Sequence, residues 1–151
     1  MARYALVIGI AIYDNFPNLT KAATDAEAIA RLLEKHGKFQ DVKRFPARWI
    51  KDESRFEVAL DKPLKSNELR EALKTFLLEQ AHKQEALIYF AGHGFEVASW
   101  TGEKEGYLAT SDCTSNGQNA ILLDDFNVLI GKSDLSNLVV LLDCCHAGSI
   151  L

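Results

Sequence analysis

Cysteine is scarce and odd in number. The 151 residues hold three, two of them adjacent at Cys144-Cys145. That count excludes a disulfide framework and fits free thiols in a reducing, cytoplasmic compartment. Basic residues are outnumbered: 17 Lys and Arg against 21 Asp and Glu leave a net charge of −4. This is the wrong sign for a nucleic-acid-binding surface. No apolar run approaches the ~20 residues of a membrane-spanning helix, so no membrane partner is expected. Met1-Ala2-Arg3-Tyr4 leads straight into a strand-like segment without a signal-peptide pattern. Repeats and low-complexity linkers are absent. Gly9-Ile10-Ala11-Ile12-Tyr13 lacks the glycines and lysine of a phosphate loop, which argues against a nucleotide-binding domain. Cys113, Cys144, Cys145 and His146 do not form the paired-ligand spacing of a zinc site. Length and composition are those of one soluble globular domain.

Three continuous apolar runs stand out. Residues 4–10 read as a strand buried on both faces, and 86–91 and 138–143 as short buried-type strands. Thr24-x-x-Glu27 has the pattern of a capping box. It opens a helix with Ala26, Ile29, Ala30, Leu32 and Leu33 on its apolar face, stopped by Gly37. Residues 41–46 suggest a short strand. Residues 46–63 carry no clean period and read as a loop with at most one short strand. Ser66 caps a helix whose face is Leu69, Ala72, Leu73, Phe76 and Leu77. Residues 95–111 suggest a hairpin, and 122–130 a short helix opened by Asp124-Asp125. Strands alternating with helices predict an α/β fold with a mainly parallel sheet flanked by helices. Right-handed crossovers then bring the ends of strands 86–91 and 138–143 together on one edge.

The first of those ends carries Gly92-His93-Gly94 and the second Asp143-Cys144-Cys145-His146-Ala147-Gly148. A thiol and an imidazole at neighbouring strand ends are the parts of a cysteine nucleophile and its acid/base partner. Side chains alternate along a strand, so Asp143 and Cys145 point one way and Cys144 the other. Cys145 is therefore the expected nucleophile, and Cys144 a small buried hydrophobe. His146 follows the thiol in sequence, but chain neighbours rarely face each other, and it reads as structural.

Tyr89-Phe90-Ala91-Gly92-His93-Gly94 and Asp143-Cys144-Cys145-His146-Ala147-Gly148 resemble the two catalytic blocks of the caspase/metacaspase superfamily, closest to its bacterial and metacaspase-like branch. Tyr4-Ala5-Leu6-Val7-Ile8-Gly9-Ile10 resembles its first strand, and Thr24-Asp25-Ala26-Glu27-Ala28 the segment opening its first helix. The four blocks occur in family order. His93 precedes Cys145 by 52 residues, close to the caspase spacing of about 50.

The resemblance implies a caspase-like three-layer sandwich and a cysteine endopeptidase. His93 and Cys145 would be catalytic, and the N–H groups of Gly94 and Cys145 would form the oxyanion hole. Asp25 and Asp143 match the acidic pair with which the metacaspase branch binds Arg or Lys at P1, and carboxylates suit guanidinium. Asp25 read alone would equally well stabilise a helix N-terminus. Asp112, Asp124 and Asp125 fall where some metacaspases bind calcium. Calcium takes six or more oxygens and three Asp do not complete a site, so no cofactor is required. The resemblance casts residues 1–151 as the large-subunit portion of the catalytic domain. The C-terminal strands of the fold would come from a small-subunit-like chain or segment beside strand 138–143. The competing reading is a catalytically silent caspase-like module that binds partners.

Overall fold

The fold is described here from a computed structural model, over residues 1–146. The Ala147-Gly148 end of the segment that begins at Asp143 and the side chain of His146 lie outside the described residues. The elements in chain order are β1 (Arg3–Gly9), α1 (Thr20–His36), β2 (Asp41–Phe45), β3 (Ala47–Ile50), β4 (Arg55–Val58), α2 (Ser66–Thr75), β5 (Glu85–Ala98), β6 (Lys104–Leu108), β7 (Ile121–Leu122), α3 (Leu123–Lys132) and β8 (Asn137–His146).

Four strands form a parallel set in the order β2-β1-β5-β8. β5 is the spine. Its first half pairs with β1 on one flank and β8 on the other, and its second half pairs antiparallel with β6, which continues to β7. Helix α1 covers one face of this mixed sheet; α2 and α3 cover the other, giving three layers. Among the described residues, no helix is long and apolar enough to cross a membrane.

The apolar runs explain the burial. Ala5, Leu6, Val7 and Ile8 of β1 are all buried, as a strand sandwiched between helices requires. α1 approaches β1 very closely, through Ala22, Ala23, Ala26 and Ala30. Gly9 permits this: a Cβ there would lie 2.6 Å from Ala26 Cβ. Leu69, Leu73, Phe76 and Leu77 bury the facing side of α2 and the π-turn Phe76–Gln80 that follows it.

Several expectations need correction. α1 begins at Thr20, so Thr24 is internal and its hydroxyl bonds back to the Lys21 carbonyl. Glu27 does not cap; its carboxylate accepts from Arg44, Arg31, Arg55 and the Val58 N–H. Leu32 faces solvent rather than the sheet. Ser66 is the first residue of α2 rather than its cap; Glu68 accepts from the Lys65 N–H and Asp112 from the Ser66 N–H. The segment 46–63 contains a β3–β4 hairpin, with Trp49 paired to Phe56 and both rings outside. β5 does not stop at Ala91, nor β8 at Asp143; β5 runs on through Gly92-His93-Gly94 to Ala98, and β8 through Cys144-Cys145 to His146.

Candidate active site

The two reactive groups lie within their strands, at the last register positions of the β5–β8 ladder. His93 is the register partner of Cys145, and Ala91 of Asp143. Paired residues of parallel strands about 4.8 Å apart put their side chains on the same face, here the α1 face. Cys144 turns to the opposite face and packs against the α2–α3 core. Burial, then the charges of Asp143 and Cys145, pushes its thiol up to about 11. Cys145 is exposed.

The ladder changes partners at His93. Ile10 N–H donates to the Ala91 carbonyl just past the end of β1, and Ala109 N–H donates to the His93 carbonyl just past the end of β6. The His93 N–H falls between them. It donates instead to the Tyr13 hydroxyl at 3.0 Å, and the Tyr13 ring packs edge-on against the imidazole. Phe16 lies against the same ring with centroids 5.5 Å apart.

The imidazole is fixed by main-chain carbonyls. Nε2 lies 2.7 Å from the Pro17 carbonyl and Nδ1 lies 3.3 Å from the Cys145 carbonyl. A carbonyl only accepts, so the closer contact places the proton of the neutral ring on Nε2. Nδ1 is left as the basic nitrogen, turned toward β8. Once protonated, both ring N–H groups have an acceptor.

A cleft of about 210 Å³ opens beside this pair, lined by Leu19, Lys21, Ala22, Asp25, Ala91, Gly92, Asp143 and Cys145. Asp25 lies past the first turn of α1, so it does not serve the helix N-terminus. The Tyr89 hydroxyl donates to Asp143 Oδ2 at 3.1 Å. Gly94 sits between Leu108 on β6 and His146 on β8. A larger groove, about 410 Å³, lies on the opposite face between α2 and α3 and holds neither Cys nor His.

Asp112 Oδ1 is committed to Ser66 N–H and the Thr110 hydroxyl, whereas Asp124 and Asp125 occupy the first turn of α3. Among the described residues no three His, Cys, Asp or Glu side chains are grouped to hold a metal.

Tyr13, Pro17 and Tyr89 were not anticipated. Pro17 acts through a carbonyl, which no residue pattern marks. Tyr89 did carry a signal: a phenol inside an otherwise apolar buried run requires a partner for its hydroxyl.

A mainly parallel α/β sandwich that sets an imidazole beside a thiol on adjacent strands has the architecture of a caspase-type cysteine peptidase. The chain belongs to the caspase-domain family of cysteine peptidases: the family model "Caspase domain" matches residues 2–151. It is 28% identical over 153 residues to Metacaspase-2 of Trypanosoma brucei brucei, covering 97% of this chain and 42% of that protein. Metacaspase-3 of the same organism is also 28% identical, with 97% and 41% covered. The chain thus spans about two fifths of the length of these relatives. The crystal structure of protein GSU0716 from Geobacter sulfurreducens shares the fold, with a TM-score of 0.65 at 15% identity over 99% of this chain and 52% of that one.

Proposed function

We propose that this chain carries the catalytic dyad of an endopeptidase that cleaves after Arg or Lys. The observation that carries the reading is the register pair His93–Cys145 beside a cleft walled by Asp25 and Asp143. His93 Nδ1 takes the thiol proton, and the Cys145 sulfur attacks the scissile carbonyl carbon. The N–H groups of Gly94 and Cys145 stabilise the resulting oxyanion. Collapse breaks the C–N bond as the imidazolium donates its proton to the leaving amine. Water, deprotonated by His93, then attacks the thioester; the C–S bond breaks, and the acid product leaves. Asp25 and Asp143 attract the P1 guanidinium or ammonium group.

The same reading includes a second chain or segment beside β8. Among the described residues β8 pairs only with β5, and Val139, Leu141 and Leu142 are 43%, 47% and 44% exposed. An apolar strand with an open edge is suited to strand addition. Activity is therefore to be measured on the full-length protein with any chain or segment that adds this strand present. A fluorogenic peptide with Arg at P1 should be cleaved by the native protein and not by Cys145→Ala. Absence of cleavage in the full-length protein, with the Arg peptide still bound, would favour the silent binding module.

A further inference from the structure

Tyr89 lies in the middle of β5, between Val7 on β1 and Leu141 on β8. Its ring belongs to the core beneath α1 and the residue is 6% exposed. Its hydroxyl has one partner among the described residues, Oδ2 of Asp143. The Asp143 side chain itself is on the exposed wall of the cleft. An unrestrained surface carboxylate turns freely about its last torsion, a broad and shallow one. A buried phenol donating to one oxygen removes that freedom and leaves Oδ1 for a guest.

We infer that Tyr89 is a positioning residue of the specificity cleft, orienting the Asp143 carboxylate from below so that it meets a basic side chain in a fixed plane. This rests on the P1 reading above and deepens it. Burial first, then the Asp143 hydrogen bond and the charges of Asp143 and Asp25, raise the phenol above its ordinary value. Its O–H therefore remains a donor throughout the neutral range. Orientation matters more for arginine than for lysine: a planar fork needs an acceptor in its own plane, whereas an ammonium is close to a point charge. Tyr89 should thus set the preference for Arg over Lys as well as the affinity for either.

Tyr89→Phe keeps the ring and removes only the hydroxyl. Expected in the full-length protein are a KM for an Arg peptide raised about fivefold to tenfold, less than the full worth of a charge-assisted hydrogen bond because Tyr89 acts through Asp143 and not on the substrate itself, and a kcat within about twofold of native. The Lys peptide should lose less, so the Arg-to-Lys ratio of kcat/KM falls. Alkylation of Cys145 by iodoacetamide should be unchanged, since the dyad is untouched. Added to Asp143→Asn, Tyr89→Phe should cost nothing further, because Tyr89 acts through that carboxylate. An unchanged KM and Arg-to-Lys ratio would overturn the inference while leaving the P1 reading standing. So would a fall in kcat and alkylation with KM intact, or a variant whose melting shows that the hydroxyl chiefly holds the fold. A native protein that cleaves readily but without preference for basic P1 residues would overturn the P1 reading, and this inference with it.

Discussion

The Tyr13 hydroxyl accepts the main-chain N–H of His93 at 3.0 Å, and its ring stands edge-on to the imidazole with centroids 4.7 Å apart. One side chain thus completes a sheet ladder and braces the His93 imidazole. The contact depends on Gly92: a Cβ at that position would lie 2.5 Å from the Tyr13 oxygen and 3.0 Å from Phe90 Cζ. Tyr13→Phe leaves a buried N–H unpaired, at a cost of about 1–3 kcal/mol. Thermal melting should show that loss. Gly92→Ala should be worse, because the hydroxyl and the Phe90 ring must both move, and kcat should fall in both variants. A Tyr13→Phe protein with native melting and native kcat would show that the bond is dispensable.

The adjacent thiols are separated by strand parity. Cys144 packs inward with its thiol pushed up to about 11 by burial, while Cys145 faces the cleft. Near neutral pH, iodoacetamide should modify Cys145 first, with the site read by peptide mass mapping. Cys145→Ala and His93→Ala should each lower kcat at least about a thousandfold, as loss of a covalent nucleophile or its base does. Cys144→Ala should keep most activity. The opposite result, with Cys144→Ala inactive, would overturn the assignment of the nucleophile.

Legibility in the sequence followed the range of the interactions involved. β1, β5 and β8 were legible because each is a continuous apolar run; burial on both faces accounts for β1 and most of β5, whereas β8 leaves Val139, Leu141 and Leu142 exposed. The side on which Cys145 emerges was legible because strand parity is local. The lengths of β5 and β8 were not: Gly92-His93-Gly94 looks like a stop, but β6 arrives from ten residues further on and continues the ladder. Thr24 and Glu27 have the spacing of a capping box, yet Glu27 is taken by Arg44, 17 residues away in sequence. The β3–β4 hairpin was obscured because Trp49 and Phe56, its register partners, both face outward. Asp25 was ambiguous until α1 was seen to start five residues before it.

Charge reversal tests the acidic cleft. Asp143→Lys places an ammonium where a basic P1 group would sit. Turnover of Arg and Lys peptides should fall well over tenfold, since truncating a buried charge pair costs roughly 2–5 kcal/mol. Asp25→Asn should lower kcat/KM for the same peptides less severely, because one carboxylate remains. A substrate profile with Asp preferred at P1 would sink the acidic-pocket reading.

Glu27 makes the fold sensitive to acid. Burial by itself would raise its pKa. The Arg44 hydrogen bonds, the Val58 N–H and Arg31 more than offset this and hold the carboxyl at about 2, below its ordinary 4.5. Glu34 is also lowered, chiefly by its hydrogen bond from Arg44. A carboxyl depressed in the folded state contributes stability that is complete above its unfolded value and is lost as pH falls through its folded value. The contribution should therefore be intact above about pH 5 and decline between about pH 4.5 and 2. Arg44, whose side chain is 4% exposed, keeps its charge across that window, since its own pKa is raised by Glu34 and Glu27 against the effect of burial. Glu27→Gln should cost roughly 3 kcal/mol near neutrality by leaving the Arg44 guanidinium undercompensated. It should also flatten the dependence of stability on pH below 4.5. Urea unfolding of the native and Glu27→Gln proteins at a series of pH values measures both effects. Parallel curves, offset but equally steep between pH 4.5 and 2, would show that another carboxyl carries the acid sensitivity.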